Sequence, residues 1–278
     1  MIIISNKNEQ AILYLVSTPI GNLEDITLRA LDILNKVDVI FCEDTRVSRK
    51  LLNHYEINKK LISANDSNEN FIKEKMLYYL QNNNNVALIS DAGTPLINDP
   101  GFKMVKYIIE KGFNVISIPG ATAFLPSLII SGINPYPFLF FGFLNNKSEK
   151  RKKQLEKLKK ETYTIIFYEA PHRLEKTLYD IEKVMGNRMV CISREITKIH
   201  EEVFRGNIKE YLNKEKIIKG EYVIIIEGNY IKEFSNEELY EQIEFYIKKG
   251  YSQKEAIKKV ANNYNVSKNK IYDAYHKR

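Results

Sequence analysis

The chain has 278 residues, 44% hydrophobic and 28% charged, enough to bury a core in two lobes with room for an appendage. No apolar run approaches the roughly 18 residues of a membrane span, and the opening Met1 to Ile4 is far shorter than the roughly 7 to 15 residue core of a secretory signal, so a soluble, cytoplasmic protein is expected. The formal charge is +7, yet residues 248–278 alone hold nine basic and two acidic residues, which leaves the first 247 balanced and points the last stretch at a polyanionic partner.

Apolar runs of strand length alternate with helix-patterned segments along the chain. The first run, 11–16, leads into the turn Thr18-Pro19-Ile20-Gly21-Asn22, and residues 26–34 then carry apolar positions at threes and fours. The run 37–41 is followed by Glu43, Asp44 and a helix beginning near Thr45. A helical pattern at 71–80 precedes the run 86–89, which ends on Asp91-Ala92-Gly93-Thr94-Pro95; a helix at 102–110 precedes the run 115–118, which ends on Pro119-Gly120-Ala121-Thr122. After the run 138–143 comes a charged stretch, 145–161, then runs at 163–168, 189–192 and 222–226, with a helix at 173–184 opened by Pro171.

This alternation predicts α/β architecture with largely parallel sheets: one lobe over 11–143, a second over 144–230, and a basic helical appendage over 235–278. In the appendage, 236–249, 253–264 and 268–276 read as short helices, the last two joined by Asn265-Val266-Ser267 in a helix-turn-helix-like pattern. Cys42 and Cys191 fall in apolar runs and read as buried free thiols. His54, His172, His200 and His276 lack metal-ligand spacing, so no metal site is expected.

Three glycine-containing turns each follow a strand of the first lobe. In a parallel sheet the carboxyl ends of the strands share one edge, so these turns converge on one pocket. Gly21, Gly93 and Gly120 let the backbone approach a ligand closely, or merely serve tight turns. There is no G-x-x-x-x-G-K-[ST] phosphate loop and no G-x-G-x-x-G turn, so a ligand without a pyrophosphate fits better.

The runs LVSTPIGNLEDIT (15–27), FCEDTR (41–46), LISDAGTP (88–95), IPGAT (118–122) and FYEAPHR (167–173) closely resemble the ribosomal RNA small-subunit methyltransferase I family, over about residues 11–228. The resemblance implies the tetrapyrrole-methylase-like superfamily: two α/β lobes, S-adenosylmethionine in the cleft between them, no metal, and a homodimer. It also implies 2′-O-methylation of a cytidine in the decoding region of small-subunit ribosomal RNA, with the small ribosomal subunit as partner. Small-molecule enzymes of that superfamily carry an early G-x-G-x-G-D turn and a Gly-Asp-Pro where this chain has Thr18 to Asp25 and Gly93-Thr94-Pro95. Both departures point to the RNA branch.

Strand-end geometry nominates Pro19, Gly21, Ser90, Asp91, Ala92, Gly93, Thr94, Gly120, Ala121 and Thr122 as cofactor-binding residues, and the resemblance adds Glu169, Ala170, Lys219 and Gly220. Methyl transfer from a sulfonium is an in-line displacement that requires alignment and gains from proton removal at the acceptor. Candidates for that base are Glu43, Asp44, Glu169 and His172, with Glu195 beside them. Asp44 either acts there or caps the following helix, and His172 either acts or bonds locally. Cations for RNA phosphate are Arg46, Arg173, Arg194, then Lys150, Arg151 and Lys152 in the basic stretch 147–160, and Lys258, Lys259, Lys268 and Lys270 in the appendage. A solvated helix accounts equally for 147–160. A tetrapyrrole methyltransferase of the same fold and a non-catalytic ribosome-assembly protein are the rival readings.

Overall fold

The computed structural model describes residues 10–65, 68–215, 218–229, 235–264 and 267–276. The chain forms two compact units, one running to Lys159 and resuming over Tyr163–Glu227, the other comprising Lys160–Thr162 and the chain from Gly228.

The first unit opens with a parallel five-stranded sheet of β1 (Ile12–Val16), β2 (Val39–Cys42), β3 (Lys60–Ser63), β4 (Val86–Ile89) and β5 (Asn114–Ile118), in the order β3-β2-β4-β1-β5. Helices α1 (Leu28–Lys36), α2 (Thr45–His54), α3 (Glu69–Gln81) and α4 (Phe102–Glu110) cover its faces. β2 and β4 are buried at every position, as expected of parallel strands sandwiched between helices. The period of two sorts neighbouring residues into separate cores: Phe41 packs with Met76, Met104 and Ile108 on one face, Ile40 with Leu34, Leu52 and Ile89 on the other. Side-chain caps set the helix starts, with Thr27 accepting from the Ala30 N–H and Asp44 from the Arg46 N–H.

The second sheet contains β6 (Phe138–Phe143), β7 (Thr164–Glu169), β8 (Met189–Arg194), β9 (Glu202–Asn207) and β10 (Tyr222–Ile226), ordered β6-β7-β10-β8-β9. Here the expectation of parallel pairing fails, for only β6 and β7 run parallel and the other pairs are antiparallel. The physical reason is connection length: residues 195–201 can turn β8 back along β9 but cannot carry the crossover of a dozen or more residues that a parallel neighbour needs. Helices α5 (Phe124–Ile129), α6 (Ser148–Leu158), α7 (Leu174–Met185) and α8 (Ile208–Leu212) belong to this part of the chain.

The basic stretch 147–160 is a built-in helix. α6 buries Arg151, Leu155 and Leu158, and the Arg151 guanidinium donates to Asp180 of α7 at 2.8 Å and to the Asn145 and Asn146 carbonyls. Arg151 is therefore no phosphate ligand. Its side chain is 3% exposed and its charge is matched inside the protein. Lys152 also reaches Asp180, at 3.4 Å, whereas Lys150 is exposed.

The second unit is a three-helix cluster of α9 (Asn236–Lys248), α10 (Gln253–Tyr264) and α11 (Lys268–His276) around Leu239, Ile243, Val260 and Ile271. A capping box between Ser235 and Glu238 starts α9. Both cysteines are buried. Among the described residues no helix is long and apolar enough to cross a membrane.

Candidate active site

The turns after β1, β4 and β5 sit side by side because those strands are neighbours, and they interlock. Thr18 and Gly93 exchange backbone hydrogen bonds of 2.9 and 3.1 Å. The Thr94 hydroxyl donates to the Ala121 carbonyl at 3.1 Å, so its partner Ser17, 2.9 Å away, is left to donate to it. Gly93 has φ +83, and a Cβ there would come within 3.2 Å of Ile20 and 3.5 Å of the Ala121 carbonyl. Gly120 has a different task. Its missing Cβ would lie 2.7 Å from the Ser17 Cβ, so it lets two turns pack against each other. Gly21 and Gly220 leave room for one ionic cluster, in which Lys198 bridges Glu195 at 2.9 Å and Glu221 at 3.0 Å.

Beside these turns lies a cavity of about 450 Å³, within the range of small-molecule sites. From the first sheet it is lined by Glu43, Asp91, Ala92, Gly93, Thr94 and Thr122, and from the second by Glu169 and Ala170, all of them nominated by the sequence. The remaining nominees stand off this wall. Ser90 is buried beneath it, its hydroxyl 3.1 Å from the Gly93 carbonyl; the Ala121 carbonyl is taken by Thr94; Pro19 and Gly21 line a shallower cleft that shares Asp91 and Ala92; and Gly120, Lys219 and Gly220 lie outside. The wall also includes Asn98, Asp99, Tyr168, Glu221 and Tyr222, which sequence reasoning passed over. Asp99 had a signal available, since it continues the same post-strand segment as Gly93.

The described lining contains carboxylates and phenols but no lysine, arginine or histidine. Burial pushes the Asp99 carboxyl up to about 6; the Ser90 hydroxyl opposes that rise and the neighbouring Asp91 adds to it. Burial also raises Asp91, whose carboxylate accepts the Asp44 N–H at 3.0 Å. Burial drives the Tyr168 phenol to about 12, and its oxygen accepts from the Phe124 N–H.

The structure reassigns the other nominated bases. The Glu169 carboxylate is 0% exposed, accepts from the Ala170 N–H at 2.8 Å and the Thr177 hydroxyl at 2.5 Å, and pairs with the Arg173 guanidinium at 3.0 Å. It shapes the wall, where three hydrogen bonds and the adjacent guanidinium hold it in its ionised form. His172 is exposed on a 3-10 turn and does not line the cavity. Asp44 caps α2, and the Arg46 side chain holds its carboxyl down at about 2. For Glu195, burial alone would raise the carboxyl, but the hydrogen bonds from Lys198 and the Glu221 N–H prevail and lower it.

Residues 12–212 match the family of tetrapyrrole (corrin/porphyrin) methylases. The chain is 47% identical to ribosomal RNA small subunit methyltransferase I of Bacillus subtilis, over 98% of this chain and 96% of that protein. It is 40% identical to the protein of that name from Rickettsia prowazekii, over 96% of each chain. The chain belongs to the ribosomal RNA small subunit methyltransferase I family. Its fold is also that of diphthine synthase, with a TM-score of 0.62 at 11% identity over 78% of this chain and 90% of that one. Cobalt precorrin-4 methyltransferase aligns with a TM-score of 0.59 at 17% identity, over 78% and 94%.

In this member of the small subunit methyltransferase I family the nominated cations differ in availability. Arg173 donates to the Leu144 carbonyl at 2.6 Å besides pairing with Glu169, and Arg194 pairs with Glu202 at 2.7 Å. Arg46 is 87% exposed while bonded to Asp44. Lys258 and Lys259 are exposed on α10, whereas the side chains of Lys268 and Lys270 lie outside the described residues.

Proposed function

We propose that this protein is an S-adenosylmethionine-dependent methyltransferase that methylates the 2′-oxygen of a cytidine ribose in the decoding region of small-subunit ribosomal RNA. One observation carries the reading at the site: a cavity beside three interlocked strand-end turns, walled by Glu43, Asp91, Asp99 and Glu221 and, among its described residues, without a cation. Such a wall favours a cationic ligand and disfavours a phosphate-bearing one. The conformation of Gly93 adds a backbone surface free of Cβ. These features fit S-adenosylmethionine, and Asp91 to Thr94, Thr122 and Ala170 are the residues to hold it.

The bound sulfonium would supply a methyl group already activated towards a nucleophile. What the chain contributes is alignment, which in well-oriented systems is worth roughly 7 to 11 kcal/mol. The buried Glu169–Arg173–Thr177 cluster fixes the second-sheet wall, and the Thr18–Gly93 and Thr94–Ala121 bonds fix the first. RNA is met by cations, above all those of residues 248–278, and the protein works as a cytoplasmic homodimer on the small ribosomal subunit.

Support for RNA over a tetrapyrrole comes from near-full-length kinship with proteins named for small-subunit ribosomal RNA methylation and from the cationic tail. The test is mass mapping of small-subunit ribosomal RNA from cells with and without the gene. A single cytidine that loses a ribose methyl group in the deletion strain, and regains it on complementation, is the expected result. Identical RNA in the two strains would refute the reading.

A further inference from the structure

Within the second unit, α10 and α11 flank a groove of about 600 Å³, within the range of small-ligand sites and sharing no residue with the cavity beside Gly93. Gln253, Lys254, Ile257 and Lys258 line it from α10, and Asn269, Tyr272 and Asp273 from α11. Residues three and four apart share a helix face, so Lys254 stands one turn from Lys258, and Asn269 one turn from Tyr272 and Asp273. Ile257, 8% exposed, closes the bottom of the groove against the core of Val260 and Ile271. The two walls differ in chemistry. That of α10 is cationic, with both lysines exposed, and Glu255 on the same turn is spent on the N–H and hydroxyl of Ser252, at 3.0 and 2.6 Å. That of α11 presents an aromatic ring, an amide and the Asp273 carboxylate.

Tyr272 has a place that the core does not explain. Tyr246, Tyr264 and Tyr275 pack against the buried residues of the unit, whereas Tyr272 is 56% exposed. Its ring is held all the same: the Gln253 amide donates to His276 at 3.1 Å, and the imidazole stands 4.2 Å from the Tyr272 ring, centre to centre. An exposed ring with two side-chain torsions, already fixed by a neighbour, offers contact area at little entropic cost. We propose that this groove binds unpaired RNA, with one base stacked on Tyr272 and the adjoining phosphates on Lys254 and Lys258. The inference deepens the RNA reading above and rests on it. Phosphate is attracted to the α10 wall and repelled by Asp273 on the other, so the base is the part of the strand that meets α11. Asn269 there has both donor and acceptor groups for the edge of that base. An unpaired strand fits because its bases can be splayed onto an aromatic face, whereas the major groove of an RNA duplex is too deep and narrow for side chains to read.

The experiment titrates the full chain into a short single-stranded RNA carrying 2-aminopurine, whose fluorescence falls when the base stacks, and into the same RNA annealed to its complement and a DNA duplex of the same sequence. Affinity is read by anisotropy, and circular dichroism melts establish that each variant keeps its helices. Wild type should prefer the single strand and quench the 2-aminopurine. Tyr272→Ala should lose the quench and about 5- to 150-fold in affinity. Tyr272→Leu, which keeps apolar bulk without an aromatic face, should also lose the quench, and Tyr272→Phe should restore it. Replacing Lys254 and Lys258 together by alanine should keep the quench at saturation and lower the slope of log affinity against log salt by about 1.4. Wild-type affinity and quench in Tyr272→Ala, a quench that survives in Tyr272→Leu, an unchanged slope in the lysine variant, or tighter binding of the DNA duplex than of the single strand would each overturn the proposal and leave the methyltransferase reading standing. A wild type that binds no RNA, single or paired, would count against the RNA reading itself and take this inference with it.

Discussion

At the scale of single residues the site depends on Gly93 and on buried carboxylates. Gly93 stands at φ +83 on the cavity wall, 3.2 Å from Ile20 measured from a built Cβ. Gly93→Ala should cost about 1 to 2 kcal/mol through backbone strain alone, and Gly93→Leu should abolish S-adenosylmethionine binding in a protein that still folds. Calorimetry beside a thermal melt checks both; undiminished affinity in Gly93→Leu removes this residue from the site. Asp99 makes a separate prediction about stability. Its carboxyl moves from 3.8 to about 6 on folding, so the folded state holds the proton more tightly. Its contribution is most favourable below pH 3.8, falls as pH rises to about 6, and is level above. Asn carries no such penalty. Asp99→Asn should therefore gain on wild type across that window and lead at pH 8 by up to about 2 kcal/mol, a figure already reduced for solvent screening. Urea melts of both proteins at pH 4 and pH 8 decide it, and an equal difference at the two values would contradict the burial.

At the scale of elements, periodicity made most of the fold legible, and its failures share a cause. β3, with the sequence KLIS, is a half-exposed sheet edge, and β9, EVFRGN, carries Glu202, Arg205 and Asn207, so neither presents an apolar run. The turns of the first sheet were legible because glycine and proline punctuate them at strand ends. Asp99 continues one of these post-strand segments, but nothing local tells a half-buried carboxylate from a solvated one. α6 shows the same limit, for Arg151 in a run of lysines reads as solvated until Asp180, distant in sequence, is brought to it. Arg151→Ala would leave Asp180 in a largely buried place without its main partner, at a cost of about 3 to 5 kcal/mol. Lys150→Ala, on the exposed side of the same helix, should cost under about 0.5 kcal/mol. Denaturant midpoints of the two variants measure this, and similar values would mean that the ion pair does not hold α6 to α7.

At the scale of the whole molecule, charge is partitioned: residues 248–278 carry a formal excess equal to that of the entire chain, and the rest is neutral. A neutral body with an anionic cavity wall suits a cationic donor, while a cationic tail suits a polyanion. Removing residues 236–278 should accordingly weaken RNA binding and leave S-adenosylmethionine affinity intact. Salt dependence tests the tail more finely, because each cation that meets a phosphate contributes about 0.7 to 0.9 to the slope of log affinity against log salt. Lys258 and Lys259 are exposed on α10, and the Lys259 ammonium also stands 4.6 Å from the Tyr251 ring centre, where it serves packing as well. If both lysines meet phosphate, replacing them together by alanine should lower that slope by about 1.4 to 1.8 and weaken binding alike for RNAs of different sequence. A variant with lower affinity but an undiminished slope would mean that the loss came through the packing of α9 and α10, and the two lysines would then be surface residues of a small helical core.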